Sequence, residues 1–215
     1  MKFSCTIGAY NPKIDWLKRA LDSTIELFDE IILVDDGSSN YEGILKLIGD
    51  NKYNVKYVRH DENEGFCEAR NTAIRNSTGD VICSLDDDDW FDKDGVVALK
   101  EFIRNNDSDI WHFILKKFNE ETGLYGQDAI PEHLYSYNSI PSQSWFKKSM
   151  WEELGGYKKV KAEDWNLWVR ALNAKKKFTY FPRIAYNLNR RSDSISAKWT
   201  GVSFDMIRKE VFDNL

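Results

Sequence analysis

Apolar and polar positions alternate between two periods along the first half of the chain. Residues 2–10 form a short apolar run that stops at Asn11-Pro12, which is typical of a buried strand. Apolar residues then recur at three- and four-residue steps, as in an amphipathic helix. They are Leu17, Leu21, Ile25 and Phe28, with Trp16 and Ala20 widening the stripe. The β-branched run that follows, ended by a turn cluster at residues 35–39, predicts a second strand.

The same alternation continues to about residue 90. We predict helices over residues 41–48 and 66–76, and strands over residues 55–59 and 80–85. Strands that alternate with helices form a mostly parallel sheet with right-handed crossovers. The sequence therefore predicts an α/β fold with a Rossmann-like first half, in which ligands bind at the carboxyl ends of the strands.

The second half of the chain is less regular. We predict a helix over residues 94–105 and a strand over 109–118, followed by irregular chain to residue 137. Helices over 147–154 and 162–174, separated by Gly155-Gly156, precede a strand over 178–186. Near the end, Phe204, Ile207, Val211 and Leu215 would share one face of a short helix. That face could bind a partner, a membrane surface or the protein's own core.

The length of 215 residues fits one domain. Within it we expect three parts: residues 1–118 for ligand and metal binding, residues 119–200 for a second substrate and the catalytic base, and a helical tail over 201–215. Neither a cleavable leader nor a stretch of the roughly 18 apolar residues that a membrane span needs is visible, so we expect a soluble cytoplasmic protein.

Four consecutive carboxylates, Asp86 to Asp89, follow the predicted strand over residues 80–85. Side chains alternate along a strand, so we expect Asp86 and Asp88 to share one face. Adjacent negative charges repel one another unless a cation offsets them. Hard oxygen ligands suit Mg²⁺ or Mn²⁺, especially an ion that also binds phosphate. For Asp89, a metal role and a purely structural role both stay open.

Three further segments carry candidate chemistry. Asp35 and Asp36 end a predicted strand, where acids can accept hydrogen bonds from a base or a ribose, although Asp-Gly-Ser is also ordinary turn chemistry. Arg70 lies on a helix preceded by a glycine turn, an arrangement that favours phosphate but also fits a solvated helix face. Glu163 and Asp164 begin an amphipathic helix, where they stabilise the helix dipole or supply a general base.

Aromatic residues are dense in the same region of the second half. Some belong to the core, and one or two could stack on a sugar ring. They are Trp145, Trp151, Tyr157, Trp165 and Trp168.

The charge of −5 is distributed unevenly. Residues 1–140 hold 15 Lys and Arg against 27 Asp and Glu, whereas residues 141–215 hold 15 against 8. The acidic half suits a cation and the basic half suits an anion. The basic surplus favours an anionic second substrate, with nucleic acid less favoured. Lys175 to Lys177 is a candidate cluster for binding it. The alternative is that these lysines form an ordinary solvated face.

Several other classes lack their signatures. The three cysteines have no CxxC spacing, so neither a disulfide framework nor a zinc ribbon is indicated. There is no GxGxxG after a strand, no P-loop and no HExxH. The three histidines are far apart in sequence, which argues against a hydrolase triad.

Taken in order, the motifs resemble family 2 glycosyltransferases of the GT-A fold over about residues 1–196. IGAYNP resembles the opening nucleotide-binding strand, ILVDDGSS the nucleoside-binding turn, NEGFCEARN the N-x-G-x-x-x-A-R-N segment and SLDDDDW the metal-binding DxD strand. GGYKKVKAEDW resembles the glycine-rich stretch that precedes the family's Glu-Asp pair. The resemblance implies a metal-dependent transferase that moves a sugar from a nucleotide diphosphate, UDP in our interpretation, to an acceptor hydroxyl with inversion.

The resemblance also implies roles for individual residues. Asp164 would deprotonate the acceptor, and Asp86 and Asp88 would bind Mn²⁺ or Mg²⁺. Asp35 or Asp36 would meet the base or ribose, and Arg70 the base or phosphates. The residues assigned to the nucleotide sugar are Ala9, Tyr10, Asp35, Asp36, Arg70 and Asp87.

One position departs from the family pattern. Many relatives carry a histidine near the end, where this chain has Asn189. Either Asn189 or water completes the metal shell, or Arg190-Arg191 takes over part of the diphosphate charge. The sequence does not specify the acceptor. A glycan or a lipid phosphate would fit an anionic acceptor. A lipid phosphate would bring the protein to the inner membrane face as a peripheral protein.

Two alternatives to a glycosyltransferase stay open at this point. A nucleotidyltransferase of related fold would also use acidic metal ligands, but it should have a glycine-rich basic loop after the first strand, where this chain has IGAYNPKIDW. A non-catalytic nucleotide-sugar-binding subunit would need the donor pocket and no base.

Overall fold

The computed structural model describes residues 1–49, 52–126, 129–192 and 203–215. Within these residues one sheet has the strand order β3-β2-β1-β4-β8-β6-β9-β5, with β7 paired to β6. The strands are β1 (Phe3–Ala9), β2 (Glu30–Asp35), β3 (Val55–Arg59), β4 (Val81–Asp86), β5 (Trp90–Phe91), β6 (Ile110–Asn119), β7 (Gly123–Tyr125), β8 (Trp145–Lys147) and β9 (Phe178–Arg190).

Seven α-helices occur in the described part of the chain, and a short 3₁₀-helix spans Pro131–Tyr135. The α-helices are α1 (Ile14–Asp22), α2 (Tyr41–Ile48), α3 (Phe66–Arg75), α4 (Lys93–Asn105), α5 (Lys148–Glu153), α6 (Glu163–Asn173) and α7 (Phe204–Asp213).

Strands β1 to β4 form the parallel half of the sheet, as the sequence predicts. The register pairs Ala9 with Asp35 and Gly8 with Asp86. The carboxyl ends of β2, β1 and β4 are therefore level, and the loops that follow these strands open on one edge. This edge is where a ligand site is expected in an open α/β sheet.

The second half of the sheet begins with a change of direction. Strand β8 is antiparallel to both β4 and β6, whereas β6 and β9 pair in parallel over ten positions, with a register irregularity near Ile114. The long pairings are thus parallel, and the α/β prediction is confirmed. Most of the core lies on one side of the sheet, where Trp145 packs with Phe3, Phe28, Phe91 and Phe113.

Two predicted element boundaries were wrong. Helix α1 ends at Asp22, so Ile25 and Phe28 pack against the core from the turn that follows it. Strand β9 continues four residues beyond the predicted end, to Arg190. The extension pairs Asn189 with Phe118 and Arg190 with Asn119, which gives the exposed polar end of β6 a partner along its whole length.

The terminal helix packs on its own domain. Val211 is fully buried, Ile207 and Phe212 contact the cluster around α6, and the Phe204 ring stacks on Trp165 at 5.5 Å. Leu215, predicted to share this face, lies beyond the helix and is half exposed. Of the three roles considered for this face, the structure shows contact with the protein's own core.

Among the described residues, no helix is both long enough and apolar enough to span a bilayer. All three cysteines are free thiols, and Cys5 and Cys83 are buried.

His112 on β6 gives a pH-dependent contribution to stability. It is 2% exposed, stacks on Tyr180, and burial lowers its pKa to about 4. A folded-state pKa below the usual value of about 6.5 means that the unfolded chain binds the proton first as the pH falls. The part of the stability that depends on a neutral His112 is therefore fully present above about pH 6.5 and is lost progressively as the pH falls from 6.5 to 4.

Wild type should lose unfolding free energy between pH 7 and pH 5. We predict that this loss is about 2 kcal/mol smaller in His112→Phe. Phenylalanine keeps the stacking on Tyr180 and cannot bind a proton. Urea unfolding of both proteins at the two pH values measures this difference. Parallel pH curves for the two proteins would show that His112 contributes nothing to the acid sensitivity.

Candidate active site

A cleft of about 1180 Å³ lies at the carboxyl edge of the parallel strands. Its walls come from the ends of β1 and β4, the starts of α3 and α6, the loop before β8, and the end of β9. Sites for one small molecule usually measure roughly 300–1,000 Å³. The cleft is slightly larger than this range.

The four acids at the end of β4 all line this cleft. The strand ends at Asp86, and the chain then turns so that the Asp89 N–H donates to the Asp86 carbonyl at 3.2 Å. The strand-like alternation that we expected for Asp86 to Asp89 therefore stops at the first of them. The turn crowds the four carboxylates instead of dividing them between two faces.

Asp89 has a structural role in this turn. Its side chain is buried and accepts hydrogen bonds from the Tyr186 hydroxyl at 2.8 Å and the Asn189 N–H at 2.6 Å. The Tyr186 hydroxyl in turn accepts the Asp86 N–H at 3.1 Å. Strand β9 thus fixes the conformation of the acidic turn, and the helix after it is capped separately by Asp92, whose carboxylate accepts the Gly95 N–H.

Asp86 and Asp88 each contact an arginine. Asp86 accepts hydrogen bonds from Arg70 and from the Gln143 amide, both at 3.1 Å. Asp88 pairs with Arg191 at 2.8 Å, and its backbone carbonyl accepts from Arg19 at 2.6 Å. The guanidinium groups offset charge that the four acids concentrate in a small volume.

The electrostatics of the turn reflect burial and crowding. Burial and the neighbouring charges of Asp88 and Asp86 raise the pKa of Asp87 to about 8. Burial and Asp86 also raise the pKa of Asp88, although Arg191 opposes this. Burial, Asp86 and Asp88 raise the pKa of Asp89 well above its ordinary value. A further cation close to these oxygens would relieve the repulsion.

The two acids after β2 occupy different environments. Asp35 is buried and accepts from the Ser38 N–H, the Tyr57 hydroxyl and Arg59; burial alone would raise its pKa, but these donors lower it. Asp36 lies on the cleft and accepts the N–H groups of Glu64 and Gly65, each at 2.9 Å.

The His60 Nδ1 lies 2.7 Å from the Asp36 carboxylate. Of the two acids, Asp36 lines the cleft and Asp35 does not. There it holds the loop that leads into α3.

Arg70 lies between two acidic elements. It is 6% exposed, and its guanidinium contacts Asp86 at 3.1 Å and Glu163 at 3.1 Å. Burial alone would lower the pKa of Arg70, but the charges of Asp86 and Glu163 outweigh it and raise the pKa. Burial raises the pKa of Glu163 to about 7, against the opposing charge of Arg70.

Asp164 faces the cleft from the first turn of α6. It is 8% exposed, and its Oδ2 accepts a hydrogen bond from the Asn138 amide at 2.9 Å. The Asn138 Oδ1 is buried without a hydrogen-bond partner among the described residues. One carboxylate oxygen of Asp164 is therefore held in place, and an amide oxygen beside it can accept a further hydrogen bond.

The aromatic residues on the cleft differ from those the sequence suggested. All five of the tryptophans and tyrosines considered for sugar stacking are core residues, exposed by 7% or less. The cleft instead contains Tyr10, Trp16, Phe66 and Tyr125. Trp16, which we expected to widen the core stripe of α1, has Lys13 over its ring at 3.9 Å and Arg191 at 4.7 Å.

The basic residues on the cleft also differ from the predicted cluster. Lys175, Lys176 and Lys177 lie away from the cleft: Lys176 pairs with Glu153, and the Lys177 ammonium donates to the Asp107 carbonyl. The basic side chains that do line it are Lys13, Arg70, Lys117, Lys159, Lys161, Arg190 and Arg191.

Sequence reasoning missed several residues of this site. Asn138 and Gln143 lie in or beside the stretch that showed no periodicity, where nothing marked them out. Tyr186 is a core residue of β9, and only the pairing of β9 with β6 and β5 brings its hydroxyl to the acidic turn. Asn189, which the sequence singled out for its side chain, contacts this turn through its backbone N–H, and its side-chain oxygen accepts from Asn119. His60 follows β3 directly, at the same edge as Asp36, and that position was a usable signal.

The cleft thus combines strand-end acids, several basic side chains and a carboxylate at the start of a helix. The model of the family described as "Glycosyl transferase family 2" matches residues 4–214. The chain belongs to this family. The resemblance found in the motifs is thereby confirmed.

Among curated proteins, glycosyltransferase GlyA of Streptococcus pneumoniae is 28% identical over 224 residues, which cover 93% of this chain and 32% of that protein. The chain thus spans about a third of that relative.

Two solved structures share the fold. A crystal structure of S. aureus TarS in complex with UDP-GlcNAc has a TM-score of 0.76 at 20% identity and covers 92% of this chain and 61% of its own. The mannosyltransferase PcManGT from Pyrobaculum calidifontis, in complex with GDP-Man and Mn²⁺, has a TM-score of 0.71 at 16% identity, covering 92% and 59%. Together with the family match, they confirm the GT-A fold for this family 2 chain.

The turn that carries Asp36 depends on Gly37. Its φ is +74°, and a Cβ there would lie 2.5 Å from the Glu62 carbonyl carbon and 2.8 Å from the Asn63 nitrogen. We predict that Gly37→Ala displaces the 62–63 backbone and lowers the unfolding free energy by about 1–3 kcal/mol. Urea unfolding measures this loss. The matched control is Gly155→Ala, at φ +72° with the Lys158 Nζ at 3.7 Å as the nearest atom to the added Cβ, which gives a similar φ without the clash. Equal losses for the two variants would show that the close approach does not matter.

Proposed function

We propose that this family 2 domain transfers a sugar from a UDP-sugar to an acceptor hydroxyl, with the assistance of a divalent cation. The observation that carries the proposal is that two separate carboxylate sites line one cleft. Asp86 and Asp88, at the end of β4, form the donor wall, and Asp164, at the start of α6, forms the base wall. Leaving-group stabilisation and proton removal, the two requirements of glycosyl transfer, can thus be met from two walls of the same cleft.

The acidic turn fits a divalent cation. Within residues 1–49, 52–126, 129–192 and 203–215, no group of three His, Cys, Asp or Glu side chains forms a complete metal cage. Mg²⁺ and Mn²⁺ at nucleotide sites need only one or two carboxylates, because phosphate oxygens and water complete the shell. Asp86 and Asp88 could supply those carboxylates. Burial and the charges of neighbouring acids raise the pKa values of Asp87 and Asp88, which supports a site for added positive charge there.

The chain's own residues would divide the work as follows. When bound, a Mn²⁺ or Mg²⁺ ion neutralises the charge that develops on the departing diphosphate. Arg191, which contacts Asp88, adds a second positive charge on the same wall. This supports the hypothesis that the Arg190-Arg191 pair serves the diphosphate, and Arg191 is its better placed member because Arg190 pairs with Glu121.

Asp164 is the proposed general base. Asn138 holds one of its carboxylate oxygens, which leaves the other to accept the proton of an acceptor hydroxyl. Attack by that hydroxyl on the anomeric carbon would displace the diphosphate and, as the family resemblance implies, invert that carbon. The inverting outcome is supported by the family resemblance. The relatives' ligands, UDP-GlcNAc and GDP-Man, are nucleotide sugars of two kinds, so the choice of UDP is tested below against GDP.

We also propose an anionic acceptor that contacts lysines of the cleft, in place of the cluster at 175–177. Lys117, Lys159 and Lys161 line the cleft. Lys159 is the better placed of the three, because Lys117 pairs with Glu121 and Lys161 pairs with Glu210. A glycan acid or a lipid phosphate would meet positive charge there.

A nucleotidyltransferase is set aside by the family match, and by β1 being followed by Asn11-Pro12 instead of a glycine-rich basic loop. A non-catalytic nucleotide-sugar-binding subunit is the remaining alternative, because such a protein would use the donor wall alone.

We predict that Asp88→Ala weakens Mn²⁺-dependent UDP binding by at least about 10–100-fold, the range found when a group that merely supports a metal ligand is removed. Calorimetric titration of UDP and of GDP, each with Mn²⁺ and with chelator, measures the effect. The comparison of UDP with GDP also identifies the preferred nucleobase. Asp94→Ala, an exposed aspartate in the first turn of α4, is the matched control and should bind as wild type does. Equal UDP affinity with Mn²⁺ and with chelator in wild type would refute the metal proposal.

We predict that Asp164→Asn lowers the turnover number by about 10²–10⁴-fold and leaves the affinity for Mn²⁺–UDP unchanged, since a base acts on the acceptor and does not touch the nucleotide. Sugar transfer or donor hydrolysis, followed by UDP release, measures turnover. Asp15→Asn makes the same change in the first turn of α1, outside the cleft, and should have no effect. Undiminished turnover in Asp164→Asn would remove it from the mechanism, and binding without any turnover in wild type would favour the binding subunit.

A further inference from the structure

The buried Arg70 side chain contacts both walls of the cleft. One terminal nitrogen of its guanidinium lies 3.1 Å from Asp86, and the other lies 3.1 Å from Glu163. The Phe66 ring covers the group at 4.0 Å. A planar guanidinium can hold two acids at once in fixed directions, whereas a lysine ammonium acts as a single point charge.

The two acids that Arg70 joins belong to different parts of the site. Asp86 is 16 residues from Arg70 in sequence and ends β4, whereas Glu163 is 93 residues away and directly precedes Asp164 at the start of α6. Gln143 bonds to Asp86 and Asn138 bonds to Asp164, so each of these amides serves one wall. Among the hydrogen bonds of the described residues, those of Arg70 are the ones that span from the acidic turn to α6.

The charge balance makes this link responsive. Arg70 is nearly inaccessible to water, so its positive charge is compensated by the two carboxylates. A buried arginine that loses one acidic partner must rely more strongly on the other. A cation that binds Asp86 will weaken the contact between Asp86 and Arg70. The ion pair between Arg70 and Glu163 will therefore become stronger.

We propose that Arg70 is a positioning residue that couples occupation of the donor wall to the placement of the catalytic-base helix. The inference rests on the proposed function, because it takes Asp86 as a cation ligand and Asp164 as the base. A bound cation and diphosphate compete with Arg70 for Asp86, and the guanidinium then holds Glu163, and with it the start of α6, more tightly. Coupling between two sites is reciprocal, so a change at Glu163 must also alter binding at Asp86.

The first test uses Mn²⁺ and UDP as the probe. Glu163→Gln leaves Arg70 with Asp86 as its remaining acidic partner, so the variant should bind Mn²⁺–UDP at least about fivefold more weakly than wild type, the lower end of typical coupling between sites. In an Arg70→Met background, the same Glu163→Gln change should alter the affinity less than about twofold, since the link is gone.

A matched control separates this link from a general charge effect. Glu64→Gln also removes a carboxylate that lines the cleft, at an exposed position without a contact to Arg70. Its effect on Mn²⁺–UDP affinity should be equal in the Arg70 and Arg70→Met backgrounds. A Glu163→Gln effect that is likewise equal in both backgrounds would overturn the proposal.

The second test needs no ligand and keeps the proposal separate from the proposed function. Removing Arg70 leaves Glu163 as a buried acid without its partner, so Glu163→Gln should be more favourable to stability in the Arg70→Met background than in wild type. We expect the two Tm shifts to differ by about 3 °C or more. Equal shifts would refute the link even if UDP binds well; a difference in Tm without Mn²⁺–UDP binding in wild type would support the link and count against the proposed function.

The conservative variant distinguishes positioning from simple charge. Arg70→Lys keeps the positive charge; if Arg70→Met fails to fold, Arg70→Gln replaces it as the uncharged background. Because an ammonium cannot hold both acids in the same geometry, we expect the Glu163→Gln effect on Mn²⁺–UDP affinity to fall below about twofold in Arg70→Lys, and turnover to fall more than donor affinity. Full retention of the coupling in Arg70→Lys would show that charge alone is sufficient and would contradict the proposal.

Discussion

The crowding of four carboxylates at the end of β4 is the constraint on which the rest of the site depends. Each acid is at least half buried or adjacent to another acid, and burial and repulsion act together on Asp87 to Asp89. Five groups donate to these carboxylates: two arginines, an amide, a tyrosine hydroxyl and a backbone N–H. The acids of the turn are therefore stabilised by donors of the protein instead of by solvent.

The topology of the sheet supplies those donors. The level ends of β2, β1 and β4 place Asp36, the loop after β1 and the acidic turn on one edge. The reversal at β8 then brings β6 and β9 alongside, so that groups separated by about a hundred residues, such as Asp86 and Tyr186, come within hydrogen-bond distance. An open parallel sheet alone would present the acids without their counter-groups.

The sequence was sufficient for the parts of this structure that depend on local pattern. The βαβ alternation predicted β1 to β4 and α2 to α4 closely, and strand-end acids marked the donor wall because their chemistry is unusual in any context. The boundaries of α1 and β9 failed because tertiary packing, not periodicity, decided where the apolar residues at 25 and 28 and the polar residues at 187–190 would lie. The role of Trp16 was missed for a related reason, since an aromatic residue on a helix stripe fits a core and a cleft equally well.

The partners of the candidate base and of Asp86 were out of reach for sequence reasoning. Asn138 and Gln143 are ordinary amides in an irregular stretch, and their meaning comes from contacts across 26 and 57 residues. The pairing of Arg70 with Glu163 was likewise hidden, because a basic residue on a helix can pair with phosphate or with any acid that the fold brings near. Long-range pairs of this kind are set by topology, which a single sequence constrains weakly.

The contact between the Tyr186 hydroxyl and the acidic turn has a consequence for how such domains can be recombined. The sequence predicts ligand and metal binding in residues 1–118, which suggests exchanging that half between relatives. Here the turn's conformation is held by Tyr186 and the Asn189 backbone, both on β9 in the second half. A chimera joined near residue 118 would inherit the acids from one parent and the groups that shape them from the other. The smallest unit that can be exchanged without disturbing the donor wall is therefore discontinuous: the strand that ends in the acids, together with the strand that braces them.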